Sequence, residues 1–282
     1  MVEMTDITRL DKTMVVSFCI VVALMNSCDN LARRLKKGER IMDKQGQPNA
    51  GLLLIGDELL SGRTQDKNFP IIAQFLGERG IDLCEVRVVS DVEEDIVTAV
   101  NALRSRYTYV LTTGGIGPTH DDITADAIAR AFGVEIIKHP DAVKSLHGLF
   151  AEIGVEPNEA RMRMARVPDG SQLLINEKIK APGFCIDNVF VMAGVPHIMC
   201  LMLEVVGQMV EGGVVMLSKT VCIKRGEGDL AVPLAGIQKR HEEVSIGSYP
   251  FRDGDVFGAN IVVRARDEAK LAAAFAEVEK LV

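Results

Sequence analysis

From Ala50 onward the chain alternates short apolar runs with longer amphipathic segments, and each run stops at a loop carrying acids or glycines. Gly51 to Gly56 reads as a buried strand. Asp66 to Gly80 reads as a helix with Phe69, Ile72, Ala73 and Leu76 on one stripe. Ile81 to Val89 is the next strand, Val92 to Ser105 a helix spaced by Ile96, Val97, Val100 and Leu103, and Tyr107 to Thr112 a third strand. Strands separated by helix-length segments return parallel through crossovers, so the pattern predicts a mostly parallel sheet covered by helices on both faces. On such sheets ligands collect beyond the carboxyl ends of the strands.

The third strand feeds into Thr112-Thr-Gly-Gly-Ile-Gly-Pro-Thr-His-Asp-Asp-Ile-Thr124. Gly114, Gly115 and Gly117 let backbone amides approach a ligand, and Thr112, Thr113 and Thr119 add hydroxyls suited to phosphate or pterin oxygens. Asp121 and Asp122 stand before a helix expected over Ile123 to Phe132, at its positive end. The stretch lacks the Gly-Lys-Ser/Thr ending of a P-loop and the distant acid of a dinucleotide fingerprint. A tight strand-to-helix turn would account for a glycine cluster, but a bare scaffold is expected to need neither all three glycines nor both acids. His120, inside the loop, reads either as a phosphate or metal contact or as an exposed loop histidine. Asp57, Glu58, Asp91, Asp121 and Asp122 all fall at strand ends, and an oxygen-only set of this kind points to magnesium, manganese or cobalt.

Beyond Gly133, Lys138 to Asn158 reads as helical, and Arg161, Arg163 and Arg166 read as an anion clamp or as surface salt-bridge partners. Val189 to Met192 reads as a strand, and Pro196 opens a helix reaching about Val210, with Gly194 allowing another close backbone approach. After Glu211-Gly-Gly213 the rhythm becomes strand-helix-strand-strand-helix: Val214 to Lys224, Asp229 to His241, Val244 to Tyr249, Val256 to Arg264 and Asp267 to Leu281. That order predicts a small split α+β module. The division expected is residues 1–49, 50–213 and 214–282.

Residues 1–49 do not share the pattern. Met14 to Met25 is an apolar run of 12 residues, short of the ~20 needed to span a bilayer, and the acids before it do not suit a secretory signal. The natural start is read as Met42, with 1–41 an upstream extension or a loosely packed helix. With 48% hydrophobic and 25% charged residues the chain is of ordinary soluble composition, and its formal charge of −7 disfavours nucleic acid as a partner. Six cysteines scattered singly suggest reduced thiols in a cytoplasmic protein.

Taken in order, Gly56-Asp-Glu-Leu-Leu-Ser-Gly62, Asn68, Thr113 to Thr124, Ala181-Pro-Gly-Phe184, Gly194-Val-Pro196 and Gly247-Ser-Tyr-Pro250 carry a resemblance over nearly all of Gly51 to Val282. The chain resembles the molybdopterin-binding, MoaB/Mog-like domain of competence/damage-inducible protein A (CinA) and of eukaryotic FAD synthase. The resemblance implies a three-layer α/β/α domain followed by a small α+β domain, often as a homo-oligomer. It also implies a nucleotide or pterin ligand and metal-dependent cleavage of a pyrophosphate such as that of ADP-ribose or FAD; the charge and the short apolar run lead to the expectation of no nucleic acid or membrane partner. The alternatives are pterin-nucleotide binding or adenylyl transfer, and a non-catalytic module. Asp91 and Asp122 resemble the family's catalytic aspartates, and Asp57, Asp91 and Asp122 would place metal and water. Asn68, Thr113, Gly114, Gly115, Gly117, Pro118, Thr119, Gly194 and Pro196 would bind substrate. One departure is that Ile179-Lys180 replaces the family's Gly-Thr before Ala181, which is expected to alter that side of the pocket. The amidase domain of full-length CinA has no counterpart in this sequence.

Overall fold

The computed structural model describes residues 46–176, 178–254 and 256–282. The apolar run Met14 to Met25 and the reading of Met42 as the start lie outside these residues. The described chain divides into two compact units, one of residues 46–71 with Leu83–Val210, the other of Ile72–Asp82 with Glu211–Val282.

The first unit is built on strands β1 (Asn49–Ile55), β2 (Asp82–Val89), β3 (Tyr109–Thr113), β4 (Ile136–Lys138), β5 (Arg166–Pro168), β6 (Gln172–Asn176), β7 (Ile179–Ile186) and β8 (Val189–Met192). Six of them form one sheet in the order β2-β1-β3-β8-β7-β6, while β4 and β5 pair separately. Strand β3 runs parallel to β1 and β8, as the crossover argument requires, and β7 is antiparallel to both β6 and β8. Every residue of β1 and β3 is buried, which is why both read as continuous apolar runs instead of alternating ones.

Helices α1 (Asp57–Leu60), α2 (Asn68–Gly77), α3 (Glu93–Arg104), α4 (Thr124–Phe132), α5 (Pro140–Ile153), α6 (Glu159–Met162) and α7 (Pro196–Met209) complete a three-layer α/β/α arrangement. Ile96, Val100 and Leu103 of α3 and Ile128 of α4 pack into one core with Leu53, Val110 and Phe184. Leu146 and Phe150 of α5 form a smaller core with Ala165.

Two helix starts in the first unit differ from the sequence expectation for local reasons given by their flanking hydrogen bonds. The helix expected from Asp66 starts at Asn68, because the Asp66 carboxylate accepts the Asn68 and Phe69 amides at 3.3 and 2.8 Å. The helix expected from Lys138 starts at Pro140, since Ile136–Lys138 pairs with β5 and the His139 ring accepts the Asp141 amide.

The second unit contains β9 (Leu217–Ile223), α8 (Glu227–Arg240), β10 (Ser245–Asp253), β11 (Val256–Ala265) and α9 (Glu268–Glu279), in the predicted strand-helix-strand-strand-helix order. Its antiparallel sheet runs β10-β11-β9 and packs Ile261 and Val263 against Leu230, Ile237 and Ala274 of the helices. The strand expected to stop at Tyr249 continues through Pro250 to Asp253. Strand β10 lies at a sheet edge, where proline's missing amide forfeits no ladder bond.

Candidate functional site

The glycine loop leaves β3 and enters α4. Gly114 has φ 109°, and a Cβ there would lie 2.1 Å from the Ile55 carbonyl oxygen. Gly115 has φ 66°, and its Cβ would lie 2.2 Å from Thr124 Oγ1. Both glycines are therefore demanded by backbone conformation and by close packing, whether or not a ligand binds. This corrects the expectation that a bare scaffold would not need the three glycines. A Cβ on Gly117 would come within 2.6 Å of Asp122 Oδ2, so that glycine is fitted to the acid behind it.

Asp122 is likewise partly a structural residue. Its Oδ2 accepts the Thr119 amide at 2.8 Å and the Thr119 hydroxyl at 2.5 Å, closing the turn. Helix α4 begins one residue later than expected, with Ile123 at its N-cap and no capping side chain, so neither Asp121 nor Asp122 caps it. Among the three threonines expected to offer hydroxyls, Thr119 is engaged by Asp122, and the buried Thr112 hydroxyl has no partner in the described structure. Thr113 lines the smaller of the two cavities described next.

Two cavities meet beside this loop. The larger, about 550 Å³, is lined by the backbone from Gly114 to Pro118, by Gly194, and by the carboxylates Glu58, Asp91, Asp121 and Asp122. Its apolar wall is Met164, Met202 and Pro182, of which Pro182 alone belongs to a motif read from the sequence, Ala181 to Phe184. Gly183 is the signal that could have found it, since a Cβ there would lie 2.9 Å from the Met202 sulfur. The smaller cavity, about 230 Å³, shares Gly194 and is lined by Asn68, Thr113 and Pro196. Asn68 is only 4% exposed. Its Nδ2 donates to the Gly194 carbonyl at 2.8 Å, which fixes the amide's orientation and leaves Oδ1 without a partner.

Asp57 and Asp91 clasp each other. The Asp57 amide donates to Asp91 Oδ2 at 3.0 Å and the Asp91 amide to Asp57 Oδ1 at 3.4 Å. Burial raises the Asp91 carboxyl above the ordinary carboxylate range; the Asp57 amide opposes this, and the charges of Asp57, Glu58 and Asp121 add to it. Among the described residues no three His, Cys, Asp or Glu side chains are grouped to hold a metal ion. Asp57, Asp91 and Asp122 thus form no three-carboxylate cage; the first two are a pair, and Asp122 belongs to the loop.

Other expected contacts sort differently. His120 is fully exposed, 3.9 Å from Asp121. Arg166 pairs with Asp126, and Arg161 donates to the Glu156 carbonyl. Lys180, the departure expected to alter the pocket, pairs with Glu152 and lines a separate cavity with His139 and Ser145, while Ala181 and Pro182 face the larger one described above. No described helix is long and apolar enough to cross a membrane.

Residues 51–211 match the family described as "Probable molybdopterin binding domain". The chain belongs to this molybdopterin-binding, MoaB/Mog-like family. Residues 215–282 match the family described as "FAD synthase, middle domain". A CinA-like protein of Desulfosudis oleivorans is 39% identical over 161 residues, covering 55% of this chain and 38% of that protein. The chain therefore spans well under half the length of that relative. A protein of Archaeoglobus fulgidus is 30% identical over 231 residues, covering 82% of this chain and 96% of its own length. The crystal structure of the protein CinA from Thermoplasma acidophilum, of unknown function, superposes with a TM-score of 0.53 at 27% identity, over 58% of this chain and 98% of that one. This member of the MoaB/Mog-like family is thus CinA-like in sequence and in fold.

Proposed function

We propose that the chain binds a nucleotide- or pterin-linked pyrophosphate at the glycine loop and hydrolyses it with a divalent metal, as an ADP-ribose or FAD pyrophosphatase. The observation that carries this reading is the larger cavity, where four carboxylates stand beside a backbone held open by glycines at the carboxyl ends of β1 and β3.

Magnesium, manganese or cobalt fits as the guest of a carboxylate pair. Asp57 and Asp91 each keep one oxygen beyond the mutual clasp, and magnesium is commonly held by one or two carboxylates with substrate phosphates completing its shell. When bound, such an ion neutralises phosphate charge and acidifies water. The chain's own part is positional. The Gly115 to Gly117 backbone cradles phosphoryl oxygens, Asp122 holds that cradle's shape through Thr119, and Asp91 takes the proton of the attacking water.

The test is AMP release from ADP-ribose and FAD with each metal in turn. Metal-dependent release should fall by at least ~100-fold in Asp91→Ala and Asp122→Ala, the scale of a lost general base or an unshaped oxyanion site. Undiminished cleavage by either variant would remove that residue from the mechanism. A second reading is favoured by Asn68 Oδ1, a buried acceptor awaiting a donor such as a pterin ring N–H. On that reading the chain binds molybdopterin tightly, or transfers adenylyl to it, and shows no metal-dependent hydrolysis. Neither binding nor turnover would leave a scaffold module. Self-association belongs to the same proposal, and a mass in light scattering well above the 30.7 kDa of one chain would support it.

A further inference from the structure

The larger cavity has an electrostatic deficit. Glu58, Asp91, Asp121 and Asp122 line it, and no lysine, arginine or histidine does. A pyrophosphate entering there would meet like charge on several sides, and low-dielectric walls strengthen that repulsion.

A compensating cation stands next door. Beside the same loop lies a recess of about 20 Å³, room for one oxygen-sized group, which shares Gly115 to Gly117, Asp122, Met164 and Pro182 with the larger cavity and adds Asp126, Arg163 and Arg166. The three arginines of this segment have different fates. Arg166 is neutralised by Asp126, and Arg161 is turned to the Glu156 carbonyl. Arg163, half-buried, has no carboxylate partner among the described residues; its one recorded contact is Nη2 to the Asp122 carbonyl at 3.5 Å, at the limit of a hydrogen bond. A guanidinium carries five donors, and holding one half-buried with its charge unpaired is unfavourable unless an anion arrives.

We propose that Arg163 is the seat of the ligand's second charged group, so that the site selects diphosphate-bearing nucleotides over monophosphates. This rests on the reading that the glycine-loop cavity binds a phosphorylated ligand. The first phosphoryl group lies along the Gly115 to Gly117 backbone, and an oxygen of the next projects into the recess and takes Arg163 donors. A guanidinium can offer two parallel N–H bonds to such a group, whereas a lysine offers a point charge.

The test compares ADP with AMP by titration calorimetry in magnesium buffer, for wild type, Arg163→Gln and Arg163→Lys. In Arg163→Gln, ADP should weaken by roughly 10- to 100-fold, as expected when a charge-assisted hydrogen bond is lost, while AMP changes by less than about 2-fold; Arg163→Lys should recover part of the ADP affinity. If ADP and AMP weaken equally, Arg163 only supports the loop through Asp122 and the proposal is overturned while the binding reading stands. If wild type binds neither nucleotide, the binding reading itself falls, and this assignment with it.

Discussion

The two ends of the central sheet treat polar groups in opposite ways. At the amino ends of β3 and β8, side chains are used to close the backbone. Asn49 Oδ1 accepts the Thr108 amide at 2.9 Å, and the Asn188 side-chain amide bridges the Arg104 and Tyr107 carbonyls at 3.1 and 2.9 Å. At the carboxyl ends the reverse holds: Asn68 Oδ1 is left unpartnered, Asp91 is pushed towards its neutral form, and the acids face open space. The first end is arranged for stability, with Asn188 Oδ1 and, just before β6, Ser171 Oγ left over among the described residues. The second holds unfavourable polar arrangements that an incoming ligand could relieve, the usual sign of a site kept for binding.

The sharpest way to break this contrast is Gly114→Ala. Positive-φ strain and a Cβ 2.1 Å from the Ile55 oxygen should together destabilise the protein by about 3 kcal/mol or more. Urea unfolding would read it, and a loss under ~1 kcal/mol would mean that the loop can shift off β1. Asn188→Ala comes next. Stripping two part-buried carbonyls of their donor should destabilise by about 2 kcal/mol and leave ADP affinity untouched. A change in affinity would mean the two ends are not independent.

Asp91→Asn has the smallest expected effect and the most pointed sign. A carboxyl whose pKa is raised on folding contributes stability below its unfolded value of about 3.8 and loses it as pH rises through the folded value. At neutral pH the amide should therefore melt about 1–2 °C higher than wild type, although it cannot accept a proton and should lose turnover. Near pH 3.5 or below, the gain over wild type should vanish. A variant less stable than wild type at neutral pH would show that the clasp with Asp57 outweighs the burial of charge.

Much of the fold is legible because its determinants are local. Continuous apolar runs at 50–55 and 109–113 announce fully buried strands, Gly133 stops its helix in a left-handed cap, and the strand-helix-strand-strand-helix rhythm after residue 213 marks the second unit. The Thr112–Thr124 stretch stands out for the same reason, since its residues are contiguous. Met164 and Met202 of the cavity's apolar wall do not, because they come from separate elements and resemble ordinary core positions until the chain folds around them.

The sequence by itself determined the parallel heart of the sheet, the glycine loop and the edge where its acids accumulate, since hydrophobic period and backbone freedom are properties of neighbouring residues. Only the tertiary structure decided what each charge is for. It joined Asp57 to Asp91 across 34 positions, assigned Asp122 to its own loop, neutralised Arg166 with Asp126 across 40 positions, and left Arg163 open beside the cavity. The physical reason is that a carboxylate or a guanidinium takes its role from the partner and the dielectric it meets, and both are supplied by residues remote in the chain.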